Sequence, residues 1–333
     1  MVTIHEVAAL ARVSPMTAAR ILAGKSLKSK SRERVLLCAQ KLDYVRNQHA
    51  ANLRTGRSRL IGVIVPYIDN PFYTKVLQEL HDALGVHKYQ TLIACSFGHA
   101  DNMLSALQLL ESYNVDGIVI DISEGIMTDA VEQRLDGLRR RSRSIVLTGS
   151  QKHNISYDHL YLDNRRAITN VMRHLYSRGH KSFGFVGGPE ENLNIKNRLD
   201  AFKKFLPEVG IAVRPECISL GRSSLADITQ RVRQLLELPN RPTAVVCTSD
   251  MIAMAVIKAA REGGLKVPAD IAVTGFDDID QASLLNPPLT TVRQPLKAMA
   301  AETVGLVLQR LAKDRLPFQE RRFEADLIIR ESS

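Results

Sequence analysis

Apolar residues near the start of the chain fall three and four apart. Ile4, Val7, Ala8 and Ala11 make one helical face, and Val13, Ala18, Ile21 and Leu22 make a second. Between them Ser14 is a helix cap, and Pro15 occupies the first-turn position where a missing N–H costs nothing. The pattern predicts two short helices joined by a tight corner, with Thr17 and Arg20 one turn apart on the outer face. Taken alone, these residues fit either a DNA-reading helix-turn-helix or the αα-hairpin of any small helical domain. A third helix is expected over 31–42, with Val35, Leu36, Ala39 and Leu42 inward and Tyr44 closing a small core. Residues 47–54 could form one more short helix, ending at Thr55-Gly56. Beyond Leu60 the period changes. Apolar runs at 60–65, 91–95, 117–122, 144–147, 182–186, 217–220, 243–247 and 271–276 alternate with amphipathic stretches such as 73–87, 102–112, 167–177, 197–206, 228–236 and 250–263. Strand then helix, repeated, predicts right-handed βαβ units and parallel sheets, in one large sheet or in two lobes. Residues 154–163 follow neither period and could cross between lobes.

Charge sharpens the division. Residues 1–59 hold twelve Lys and Arg against Glu6, Glu33 and Asp43, so they carry +9 of the chain's formal +10. A basic segment with apolar residues interleaved at helical spacing points to a folded partner for a polyanion rather than a solvated tail. The 333 residues suffice for two or three domains, and 45% hydrophobic content supports full cores. No apolar run approaches the ~18 residues of a membrane span. A secretory leader is not evident, so the expected compartment is the cytoplasm. Cys38, Cys95, Cys217 and Cys247 are far apart and read as ordinary buried thiols, with no spacing suited to zinc. No P-loop, nucleophile elbow, zincin or dinucleotide fingerprint occurs, and Gly184-Phe185-Val186-Gly187-Gly188 lacks the required spacing. An enzyme is therefore not expected, and neither a cofactor nor a metal is implied.

A set of ordered motifs then carries a resemblance. They are Thr3-Ile4-His5-Glu6-Val7-Ala8, Val13-Ser14-Pro15-Met16-Thr17, Ser31-Arg32-Glu33-Arg34-Val35, Asp43-Tyr44-Val45-Arg46-Asn47, Ile61-Gly62-Val63-Ile64-Val65-Pro66, Asn70-Pro71-Phe72-Tyr73, Arg178-Gly179-His180-Lys181, Val273-Thr274-Gly275-Phe276-Asp277-Asp278 and Leu289-Thr290-Thr291-Val292-Arg293-Gln294-Pro295. In this order and spacing the chain resembles the lac repressor/galactose repressor family of transcription regulators over nearly its whole length. The resemblance implies a helix-turn-helix headpiece (1–46), a hinge helix and linker (47–59), and an α/β two-lobe core like periplasmic sugar-binding proteins (60–333). The N-lobe would take about 60–161 and 294–322, and the C-lobe about 162–293 and 323–333. It further implies a homodimer on near-palindromic double-stranded operator DNA. By the same likeness Arg20 faces the major groove, where a guanidinium can bond guanine O6 and N7 together. Pro15 and Met16 stand where family members vary with operator, and here can offer only apolar contact. Ser14 and Thr17 suit phosphate oxygens and capping. Asn47, Ala50 and Leu53 lie on the hinge, Leu53 at the position of a minor-groove wedge. Departures from the family pattern are visible: Arg12 stands where Gly is usual at the corner, Ala19 where Ser is usual, Lys28 where Ser is common, Arg46 where Pro is usual, Ala51 where Arg is usual, and Ser249 where Asn is common.

Strand-end positions in an open α/β sheet nominate the effector cleft. They are Asn70 and Phe72 after the first strand, Asp121 at the end of the third, Arg198, Ser249, Asp250, Asp277 and Gln294. The resemblance gives Arg198 and Asp277 the grip on ligand hydroxyls or a carboxylate. Asp250 could equally be a helix cap, and Asp278 is better read as a cap or salt bridge. The implied effector is a sugar, sugar acid or sugar phosphate, with Lys196 beside Arg198 favouring an acid. A corepressor-dependent repressor or an activator of the same family stays open. A sugar-binding transport protein is a distant alternative that would have no basic headpiece.

Overall fold

A computed structural model of the chain describes residues 2–24, 30–44, 57–122, 126–141, 143–150, 156–221, 224–312 and 316–333. The chain divides into two compact units, Met1–Ser58 and Arg59–Ser333. In the first, α1 (Ile4–Leu10), α2 (Pro15–Leu22) and α3 (Lys30–Lys41) pack on a core of Val7, Ala8, Ala11, Ala18, Ile21, Val35, Cys38 and Ala39, flanked by Tyr44. α1 opens with a capping box. The Thr3 amide donates to Glu6 Oε2 (2.6 Å), and the Glu6 amide donates to Thr3 Oγ1 (3.4 Å). α1 ends in a Schellman turn, in which the Val13 amide donates to Ala8 O and the Arg12 amide to Ala9 O. That turn needs a left-handed residue after the cap, and Arg12 supplies it at φ +50°. A Cβ-bearing residue there costs roughly 1 kcal/mol relative to Gly. One expectation for α3 fails. Leu36 is 45% exposed and Cys38 takes the inward place, so the core face reads 35, 38, 39, 42.

In the second unit, β1 (Leu60–Val65), β2 (Gln90–Cys95), β3 (Gly117–Asp121), β4 (Ser144–Gly149), β5 (Asp158–Leu162) and β11 (Glu320–Phe323) form a parallel sheet in the order β11-β5-β4-β3-β1-β2. β6 (Phe183–Val186), β7 (Ile218–Ser219), β8 (Ala244–Cys247) and β9 (Ala272–Thr274) form a second, also parallel, in the order β7-β6-β8-β9. A short antiparallel pair joins β10 (Thr291–Arg293) to β12 (Asp326–Ile328). Helices α4 (Pro71–Val86), α5 (Ala100–Ser112), α6 (Asp129–Arg140) and α12 (Leu296–Ala312) belong with the first sheet. The second has α7 (Asn164–Ser177), α8 (Leu193–Glu208), α9 (Leu225–Leu236), α10 (Asp250–Glu262) and the short α11 (Asp280–Leu284). The central strands β1, β3, β6 and β8 are buried, covered on both faces, which is why they read as near-continuous apolar runs. The chain crosses between the sheets after β5, after β10 and after β11.

The segment 154–163, which could cross between lobes, does lead into the first crossing, but it also holds the buried strand β5. Its polar residues hid it. Asp158 receives both Nε (2.5 Å) and Nη2 (2.8 Å) of Arg310 on α12, and the Gln319 amide (2.9 Å). Cys95, expected to be buried, is only half-buried; Cys38, Cys217 and Cys247 are buried, and all four are free thiols.

Candidate functional site

The carboxyl ends of both sheets face one cavity of about 770 Å³. In the first sheet the strand order reverses between β1 and β3, and in the second between β6 and β8. Loops leaving such reversals splay apart and open a crevice. Asn70 caps α4 through its side chain, accepting from the Phe72 amide (3.0 Å), and so fixes Phe72 at the rim. Phe72 packs against the cores of both sheets and meets Tyr73 edge-on at 5.1 Å. Asp121 ends β3, and Thr148 and Gly149 lie at the end of β4; all three line the cavity. On the other side stand Gly188, Pro189, Asn192, Asn194, Arg198, Thr248, Ser249 and Asp277.

Arg198 is the best-defined group. Its Nε donates to Asn164 Oδ1 (2.7 Å), its Nη1 to the carbonyl of Thr248 (2.5 Å), and its guanidinium lies 3.4 Å from the Phe276 ring centroid. Asn164 in turn donates to Asn194 Oδ1 (2.9 Å), which also receives Ser150 Oγ (2.6 Å). This network links the end of β4 to α7 and α8. Burial pulls the Arg198 guanidinium down to about 10, partly offset by Asp277.

Asp277 sits at φ +113°, a conformation rarely taken by a residue with a Cβ. Its backbone is held there from outside, because its amide donates to Val292 O (2.8 Å) and it bridges to Arg293. Strain kept by the surrounding chain is typical of ligand clamps. Gln294 Nε2 donates to Asp277 Oδ1 (2.8 Å). Burial pushes the Asp277 carboxyl up to about 8; Arg198 draws it down and Asp250 adds to the rise.

Asp250 is not brought to the cavity. It is fully buried behind it, accepting from Thr291 Oγ1 and from the Ile279 amide (2.8 Å). Ser249, one residue earlier, caps α10 by accepting from the Ile252 amide (3.3 Å) and reaches the cavity itself. Asp278 is a salt-bridge residue, receiving Arg293 Nε (2.6 Å) and Arg330 Nη2 (2.7 Å). Burial works against its ionisation, yet those two hydrogen bonds keep its carboxyl below the ordinary value. Thus Asn70, Phe72, Asp121, Arg198, Ser249, Asp277 and Gln294 converge and Asp250 does not. Lys196 does not line the cavity. Sequence reasoning missed Asp69, Asn164, Asn192 and Asn194. Asn192 could have been found, because it caps α8 just after Gly187-Gly188-Pro189.

In the first unit, Ser14 caps α2 by accepting from the Thr17 amide (3.2 Å), and its Oγ lies 2.8 Å from Thr17 Oγ1. Pro15 takes the first-turn position. Pro15, Met16 (70% exposed) and Arg20 are exposed, and Thr17 is half-buried, while Ala18 and Ile21 hold the opposite face to the core. Asn47, Ala50 and Leu53 lie outside the described residues.

Two sheets around a ligand-sized cavity, preceded by a basic helix-turn-helix, form the architecture of a DNA-binding regulator. Residues 3–47 match the model of bacterial regulatory proteins of the lacI family, and residues 172–333 match a periplasmic binding protein-like domain. The HTH-type transcriptional repressor CytR of Escherichia coli (strain K12) is 30% identical over 332 residues, covering 99% of this chain and 96% of the relative. Catabolite control protein A of Priestia megaterium is 30% identical over 315 residues, covering 94% and 93%. The Lac repressor bound to ONPG in its repressed state superposes with a TM-score of 0.85 at 24% identity, covering 100% and 99%, a likeness of fold. The chain belongs to the lacI family of bacterial transcription regulators. Among the described residues no helix is long and apolar enough to cross a membrane.

Proposed function

We propose that the protein is a transcriptional repressor that binds a near-palindromic operator as a homodimer and answers to a small, uncharged, carbohydrate-derived effector. The observation that carries this reading is the shared cavity at the reversal points of both sheets, with a strained Asp277 and a fixed Arg198 in its wall. Asp277, Gln294, Asn70, Asp121 and Ser249 bond ligand hydroxyls, and Phe72 covers an apolar ring face. Asn164, Asn192 and Asn194 extend the polar side. Charge narrows the ligand. Among the described lining residues Asp69, Asp121 and Asp277, the last raised to about 8, stand against His99 and Arg198, and the Arg198 fork already holds Asn164 and Thr248. An acid or phosphate there would meet carboxyl groups without a cation of its own, so a neutral sugar or glycoside is favoured over a sugar acid or sugar phosphate.

On the DNA side, Arg20 reads a guanine, Met16 and Pro15 make apolar contact, and Ser14 and Thr17 reach phosphates. Asn47, Ala50 and Leu53 act from the hinge, with Leu53 as the minor-groove wedge. The core is divided into lobes of about 60–161 with 294–322 and about 162–293 with 323–333, the first extending to the strand ends Leu162 and Phe323, and the protein works in the cytoplasm. Effector binding changes the lobe arrangement and thereby operator affinity, a coupling of typically ~1–3 kcal/mol. The test is a comparison of the full chain with a chain lacking residues 1–58. Operator retardation should vanish in the truncated protein while calorimetric binding of a neutral sugar persists. Equal operator affinity in both would overturn the DNA assignment, and a calorimetric response to sugar acids alone would overturn the neutral-ligand assignment.

A further inference from the structure

At the opposite edge of the first sheet lies a smaller cavity of about 210 Å³, lined by Arg139, Arg140, Arg143, Arg310, Tyr157 and Phe318 with Ile145. β4 begins at Ser144 beside Gly117, and Gly117 pairs with Ile61 of β1. This is therefore the amino-terminal edge, where Arg59 leads into β1, and it faces away from the effector cavity. Among the described residues its lining carries no carboxyl group.

Each arginine has a distinct standing. Arg310 is buried, and its charge is answered by Asp158; with Phe318, whose ring centroid lies 4.8 Å from the guanidinium, it makes a rigid base. Arg139 lies near two rings, 5.8 Å from Tyr157 and 5.6 Å from Phe318, and its Nη2 meets Asp136 at 3.2 Å. The same Asp136 accepts the Tyr157 hydroxyl (2.8 Å). Yet Arg139 Nε is buried with no hydrogen-bond partner. A buried N–H without an acceptor is rarely left so in a folded protein. Arg143 donates to the neutral side-chain oxygen of Asn114, and Arg140 is exposed with no ion pair among the described residues. Among the described residues two guanidinium groups thus have no carboxylate partner beside an N–H without an acceptor, on a wall of aromatic rings.

We propose that this cavity is a phosphate-binding site, separate from the effector cleft. A tetrahedral oxyanion accepts from Arg140 and Arg143 at once, since the planar fork suits phosphate oxygens, and gives Arg139 Nε its missing acceptor. Phosphate on a free metabolite and phosphate of the DNA backbone share this chemistry.

The full-length protein is treated with phenylglyoxal, and modification is mapped by mass spectrometry with millimolar inorganic phosphate, with a short duplex of arbitrary sequence, or with chloride at matched ionic strength. Exposed Arg261 on α10 is the internal control. Arg140 and Arg143 should be protected about tenfold once phosphate exceeds its dissociation constant about tenfold. Protection by phosphate and not by duplex assigns the site to a free anion. Protection by duplex assigns it to backbone, and Arg140→Ala/Arg143→Ala should then reduce the slope of log affinity against log salt by about 1–2. No protection by either ligand, or equal protection at Arg261, overturns the proposal.

Discussion

At the residue scale the decisive group is Asp277. Its carboxyl is raised by burial to about 8 and that of Asp250 to about 6. Both lie above the ordinary value of 3.8, so each favours the folded state in its protonated form. That contribution is complete below pH ~4 and is lost as pH climbs through about 6 and about 8. The empty core should therefore soften between pH 5 and 8, and Asp277→Asn should remove part of the loss. Thermal melts should give the variant a higher Tm than the parent at pH 8 and a nearly equal one at pH 5, with the effector response abolished. A hydroxyl ligand favours the ionised carboxylate, so parent affinity should rise with pH up to about 8 and calorimetry should record proton release on binding. The Asn variant melting below the parent at pH 8 would sink this account. Gly275 adds a packing constraint on the same pair, because a Cβ there would run into Asp250 Oδ1 and Leu289.

At the element scale, β5 is held by a buried ion pair instead of an apolar run. Arg310→Met should cost ~3–5 kcal/mol in urea unfolding, because the buried Asp158 would lose its ion-pair partner. Replacing both residues with apolar ones should recover most of that loss, and equal loss in the two variants would disprove the argument. The same strand marks the limit of legibility. The eight apolar runs all contain observed strands, since a parallel sheet covered on both faces leaves an unmistakable signature. Asp158 and His159 broke that signature, and Arg310 and Gln319, which bond to them, lie more than 150 residues away. α12 and β11 were likewise legible only through the sheet they complete. In the cleft, positions tied to strand ends were readable, as Asn70, Asp121 and Gln294 demonstrate. Asp250 was not, because whether a first-turn carboxyl faces ligand or core depends on Thr291 and Ile279, distant in sequence. Leu36 misled for a simpler reason: one helix face offered two apolar choices and packing took Cys38.

At the scale of the whole molecule, charge and ligand chemistry are kept apart. Nearly all the excess positive charge lies in residues 1–59, while the cavity shared by the two sheets holds more acid than base. Operator affinity should fall steeply with salt, by about 10³–10⁵ between about 50 and 200 mM if about 6–10 phosphates are neutralised. Affinity for a neutral effector should barely change over the same range. Filter binding and calorimetry in parallel would read both, and a shallow operator dependence would contradict the assignment of the basic unit to DNA.

The three passages of chain between the sheets, after β5, β10 and β11, have a mechanical meaning. Two bodies strapped together by a single ribbon can wander in any direction. Bound side by side by three, they can swing and swivel about the straps but cannot drift apart. Whatever work a small molecule does inside this jaw must then leave it as a turn, not as a separation.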